Sequence, residues 1–283
     1  MQALFETLFD IVYLVGVITL GVLMIRSCRG RRQYLLYGIM AVTLGCGDAF
    51  HLVPRAIALC TTGLDSYAAL LGIGKLITSI TMTAFYVLLY FVWLERYGVK
   101  GRQSLTGAVL ALAAVRILLC LFPQNQWTSA NPPLSWGVLR NIPFTVLGLI
   151  VVVLFYRSAR DTHDKPFRWL WLTIVLSFGF YIPVVLWSST VPLVGMLMIP
   201  KTCAYVWTVL IGWFAMKQPS PTAHELRKRP LQLRSGFFCT QFPMQRRAPV
   251  FAGAVLSRAG IFSQLVRQTV AIRVLTPAGE GLP

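Results

Sequence analysis

Seven apolar runs of about helix-spanning length recur along this chain, joined by connections that alternate between strongly basic and nearly uncharged. A helix needs about 20 mostly apolar residues to cross the hydrocarbon core of a bilayer. Such segments fall at roughly 8–25, 33–57, 70–94, 104–122, 137–156, 168–187 and 193–216. The second is the least apolar, because it carries Asp48, His51 and Arg55. The first, third and fifth connections hold Arg26, Arg29, Arg31 and Arg32, then Arg96, Lys100 and Arg102, then Arg157, Arg160, Lys165 and Arg168. The connections between them, 123–136 and 188–192, carry no charge.

With the basic residues from Lys217 onward, 21 of the 26 Lys and Arg fall on one side of a seven-helix arrangement. Lys and Arg are retained on the cytoplasmic side during insertion. The pattern therefore predicts an all-α integral membrane bundle of seven transmembrane helices, N-terminus outside and C-terminus cytoplasmic. The expected location is the plasma membrane, as a multi-pass protein. It also explains the formal net charge of +17, which on a soluble protein would suggest nucleic acid. Only 12% of residues are charged and 56% are hydrophobic, against about 25% charged in soluble domains. The expected partners are the lipid bilayer and a small ligand, with no nucleic acid.

Two regions follow: a bundle over 1–217 and a basic cytoplasmic tail over 218–283, read as disordered or in part an amphipathic surface helix at 250–272. Trp127, Trp136 and Trp187 mark one predicted interface and Trp93, Trp169 and Trp213 the other, as an amphipathic indole ring favours. Pro192 is placed to open the seventh helix, where its missing N–H costs nothing. The first apolar run lacks a basic segment before it and a small-residue cleavage site after it, so it reads as a retained helix. Six cysteines show no metal-ligand spacing, and no metal site is expected. Cys60 and Cys120 fall near the same predicted surface, which leaves a disulfide between them open.

Function should lie with ionisable groups at membrane depth, each costing roughly 2.5–3.5 kcal/mol on insertion scales. The five basic residues outside the cytoplasmic set are Arg55, Lys75, Arg116, Arg140 and Lys201, all in the outer half. Asp10, Asp48 and His51 join them there. Asp48, His51 and Arg55 stand at i, i+3 and i+7 on the second helix, which suggests one shared face. Gly45 and Gly47 beside them permit close helix approach, and Pro54 loosens the helix near its outer end. Lys201 lies nine residues past Pro192, so an Asp48–Lys201 ion pair is geometrically allowed, with Tyr205 continuing the lysine's face. Lys75, Thr78, Ser79 and Tyr86 form a stripe on the third helix, and Arg140 and Asn141 sit beside Pro143 on the fifth. The expected ligand-binding set is Asp48, His51, Arg55, Lys75, Arg140, Lys201 and Tyr205.

Some of these strings resemble known families. GCGDAFHLVPR at 45–55 and MLMIPKTCAYVW at 196–207 resemble segments of an uncharacterised family of bacterial seven-helix multi-pass membrane proteins, over about residues 1–216. That resemblance implies the topology and no activity. SFGFYIPVVLW at 177–187, with a lysine in the seventh helix, is similar to the microbial rhodopsin-like bundles. It implies retinal on Lys201 with Asp48 as counter-ion. Glu95-Arg96-Tyr97 is similar to the triplet of G-protein-coupled receptors, without their NPxxY pattern, and Gly47-Asp48 to a pair in membrane lysoplasmalogenases.

Five cations against two carboxylates predict an outward-facing polar pocket of net positive charge. The leading expectation is a transporter or sensor that holds a small anionic or amphipathic ligand and needs no cofactor. A membrane-embedded lipid hydrolase is the alternative, with His51 as general base and Asp48 orienting a water. A retinal-binding photoreceptor through Lys201 is the third.

Overall fold

The computed structural model describes residues 2–218, apart from 62, 64, 130 and 189. The expectations for the tail, including the surface helix at 250–272, lie outside the described residues. Every regular element among the described residues is helical. The helices are α1 (Gln2–Ser27), α2 (Arg32–Cys60), α3 (Ala68–Tyr97), α4 (Gln103–Leu121), α5 (Leu134–Asp161), α6 (Leu170–Trp187) and α7 (Met198–Lys217). Among the described residues, seven spans are long and apolar enough to cross a membrane, the last running from Leu193 to Lys217. The seven-helix expectation is met. Two boundaries differ from the sequence reading. α1 begins six residues early, which brings Glu6 into the bundle. α7 is preceded by a 3₁₀ turn, Pro192–Leu197, which Pro192 opens in place of the α-helix itself.

Consecutive helices pack side by side, and α1 closes the arrangement against α7. α3 also touches α5, and α2 also touches α7. Lipid tails are as apolar as leucine, so helix association in a bilayer depends on close packing through small residues and on hydrogen bonds. The α2 seams show both. Gly45 fits against Ile18 of α1, and Gly47 faces Thr81 of α3. A Cβ on Gly74 would overlap the Phe50 carbonyl oxygen of α2. Thr78 donates to the Gly47 carbonyl at 3.0 Å, a cross-helix bond that only this close approach allows. Pro54, Pro143 and Pro183 all lie inside helices. Spanning helices tolerate such breaks when neighbouring groups take up the freed carbonyls.

The two ends of the bundle are built differently. At the end carrying the basic connections, Arg96 makes a two-pronged bond to Asp164, both contacts 2.7 Å, and lies 4.0 Å above the Phe167 ring. Tyr97 donates to the same carboxylate at 3.1 Å. Tyr34 donates to the Ala215 carbonyl and Arg31 to that of Met216. α2, α3, α7 and the α5–α6 connection are thereby tied together. Between the ends runs a buried layer that includes Tyr37, Met40, Leu89, Phe155 and Val209. Leu8, Val12, Leu118, Leu149 and Phe214 are exposed around the bundle, as a lipid-facing surface requires. The opposite end contains a cavity.

Candidate functional site

The cavity measures about 570 Å³, within the range of about 300–1,000 Å³ typical of small-molecule sites. It lies at the end where α2, α4 and α6 finish. Four cationic side chains line it: Lys75 from α3, Arg116 from α4, Arg140 from α5 and Lys201 from α7. His51 of α2 and Tyr205 of α7 also line it, and no Asp or Glu is among its described lining residues. Five of the seven residues expected from sequence are therefore together. Asp48 and Arg55 are not in the lining.

Helical geometry explains the division. At 3.6 residues per turn, Asp48 and Arg55 point within about 20° of each other, whereas His51 is turned by about 60°. The first two meet α1. Asp48 is buried and accepts a 2.7 Å bond from the Tyr13 hydroxyl. Arg55 pairs with Glu6 at 3.0 Å. His51 turns instead to the cavity. The expected Asp48–Lys201 ion pair does not form. The two charges lie near enough to act on one another, but the ion pairs among the described residues are Arg55–Glu6 and Arg96–Asp164. Nor is there an Asp48–His51 hydrogen bond of the kind a hydrolytic dyad uses, since His51 Nδ1 is buried without a partner. Cys60 and Cys120 are both free thiols.

Each of three lining cations rests on an aromatic face. Arg116 is 2% exposed, with its guanidinium carbon 3.3 Å from the Phe144 ring centre. Its Nε and Nη1 find no hydrogen-bond partner. Arg140 lies 4.2 Å from the centre of the Trp127 ring. The Lys201 ammonium stands 5.0 Å from Tyr181 and 5.2 Å from Tyr205. A cation over a ring is attracted to the π-face while its N–H edge stays available. The aromatic walls thus fix these cations without consuming their donors.

The α4–α5 connection is shaped to hold Arg140. Asn125 is fully buried and donates to the carbonyls of Leu119 and Phe122, at 2.7 and 2.9 Å. Its own oxygen accepts from Arg140 Nη1 at 2.8 Å. Trp127 donates to the Cys120 carbonyl at 2.8 Å, and its backbone carbonyl sits directly on Gly72 of α3. Trp127 is therefore a wall of the cavity as well as a residue near the end of the bundle. Tyr181 is held by Asn141, to which it donates at 3.2 Å. Below the cavity, Phe144, Phe178 and Tyr86 pack ring against ring with centres 5.0–5.6 Å apart. They separate the cavity from the apolar layer.

The stripe of hydroxyls is mixed in purpose. Ser79 bonds back to the Lys75 carbonyl and Thr208 to that of Ala204, satisfying their own helices. Thr78 instead crosses to α2. The sequence places Arg116 among the deep cations but not in the binding set, marks Trp127 only as an interface residue, and does not single out Asn125 or Tyr181. The unpaired depth of Arg116 was the available signal. For Asn125 there was none, since a loop asparagine usually faces water.

No protein family, curated protein or solved structure matches the chain.

Proposed function

We propose that this protein binds a small anionic or amphipathic ligand in the four-cation cavity, as a transporter or a sensor. The single observation that carries this reading is the gathering of Lys75, Arg116, Arg140 and Lys201 around one cavity without a lining carboxylate. Fixed positive charge at membrane depth is expensive when unpaired and is relieved when an anion fills the site. Guanidinium groups are also suited to planar, two-pronged recognition of carboxylate or phosphate. The orientation we adopt follows the basic connections, with the cavity facing outward from the plasma membrane and the C-terminus in the cytoplasm. The string-level resemblance to bacterial seven-helix membrane proteins agrees with that topology.

Thermal unfolding of the detergent-purified protein tests the proposal, with sulfate or phosphate replacing chloride at constant ionic strength. A ligand that binds only the folded state stabilises it by RT ln(1 + [L]/Kd), about 2.7 kcal/mol at a hundredfold excess over Kd. The expected result is a concentration-dependent rise in Tm that disappears in Lys201→Ala and in Arg116→Gln. An equal rise in both variants and the wild type would rule out this cavity as the anion site.

A further inference from the structure

The four cations are not one ring, and their division says what kind of anion the cavity takes. Arg140 rises to the mouth, where Asn125 and Trp127 of the α4–α5 connection hold it. Lys75 goes with it, since Lys75 is exposed and Arg140 half-buried. Arg116 lies deeper, flat on Phe144, and Lys201 is buried as it is. Arg140 and Phe144 are four residues apart on α5, which is about 6 Å of rise. The cavity therefore has two cationic tiers, a mouth pair and a floor pair, whose arginines rest about one helical turn apart.

The two tiers are held by different means, so neither substitutes for the other. The mouth guanidinium already donates to Asn125. The floor guanidinium keeps two buried nitrogens unsatisfied. The cavity wall also carries apolar and aromatic side chains, Met82, Phe144, Val184, Val185 and Met198, beside the hydroxyls of Thr78, Ser79 and Ser188. An anion with one acidic group can satisfy one tier and leaves the other bare. A ligand with an acidic group at each end and methylenes between would satisfy both and place its carbons against those apolar walls.

Resting on the anion-binding reading above, we infer that the cavity selects ligands with two separated acidic groups, of the class of short α,ω-dicarboxylates. The floor tier would hold one carboxylate through Arg116 and Lys201, and the mouth tier the other through Arg140 and Lys75.

Isothermal titration of the purified full-length protein with glutarate and adipate, against butyrate and hexanoate, tests this. The expected result is a dicarboxylate preference of about tenfold or more, the size of one added charge-assisted hydrogen-bonded contact. Arg140→Gln, which keeps the floor pair, should bring the two classes to similar affinity without abolishing butyrate binding. Similar affinities for mono- and dicarboxylates in the wild type would overturn the two-tier inference and leave the anion site standing. Failure of all four acids to bind would overturn both. A dicarboxylate preference that persists in Arg140→Gln would show that the mouth tier does not read the second group.

Discussion

Two neighbouring regions at the same end of the bundle handle charge in opposite ways. Along the α1–α2 seam charged groups have partners from within the chain: Arg55 pairs with Glu6, and Asp48 accepts from the Tyr13 hydroxyl. On the other side of α2, the cavity collects Lys75, Arg116, Arg140 and Lys201 with no carboxylate among its described lining residues. The carboxylates needed to neutralise that cluster exist in the sequence, but α2 turns Asp48 toward Tyr13. A membrane protein built only for stability would place such groups together. Their separation is the contrast on which the proposed anion site rests.

The comparison can be broken by asking which side charges matter to the fold. Asp164 gives the upper mark, because it satisfies buried Arg96 at the basic end with two bonds. Asp164→Ala should destabilise by about 3–5 kcal/mol, the cost of leaving one member of a buried pair, read as a lowered SDS-unfolding midpoint. In the seam, Tyr13→Phe removes the one side-chain donor that Asp48 uses. It should lower stability by about 1–3 kcal/mol, the penalty for a buried acceptor left unsatisfied, with little effect on anion-induced stabilisation.

The cavity should behave in the reverse manner. Arg116→Met removes a buried charge that lacks a protein counter-ion, and methionine can occupy the same space over Phe144. Without added anion its midpoint should lie within about 1 kcal/mol of wild type or above it, and the stabilisation by sulfate should vanish. A large loss of stability in Arg116→Met would mean that the residue is structural and that the two regions do not differ as described. The smallest effect belongs to Arg55→Gln. Its side chain is 36% exposed, so losing the Glu6 pair should cost less than about 1 kcal/mol. Anion response in that variant should match wild type, which sharpens the boundary between seam and cavity.

Much of this was legible in the sequence, for reasons that also mark where legibility stops. Apolar length and the alternation of basic connections identify seven spans because both are properties of whole segments. Four of the five deep cations converge on one cavity, since a charge too costly to face lipid has few other places to go. Rotation about a helix axis is harder. Asp48, His51 and Arg55 share a broad face, but about 60° and 40° of turn separate the cavity residue His51 from the seam residues Asp48 and Arg55. Glu6 lies before the first apolar run as read from sequence, so Arg55 had no visible partner. Tyr13 reads as one more aromatic in a spanning helix, and nothing local says that it holds Asp48. Trp127 becomes a cavity residue, and Asn125 the support of Arg140, because the α4–α5 connection folds back over the bundle, a tertiary event with no periodic signature.

The most direct test of the central claim is an anomalous difference map from crystals of the purified protein soaked in selenate, whose selenium marks the position of a bound dianion. The account predicts a peak within hydrogen-bonding reach of Arg116 and Lys201 that is absent in crystals of Arg116→Gln. No cavity peak in the wild type, with Asp48 turned to meet Lys201 instead, would contradict it: the chain would then supply its own counter-charge, and the cavity would have no need of an anion.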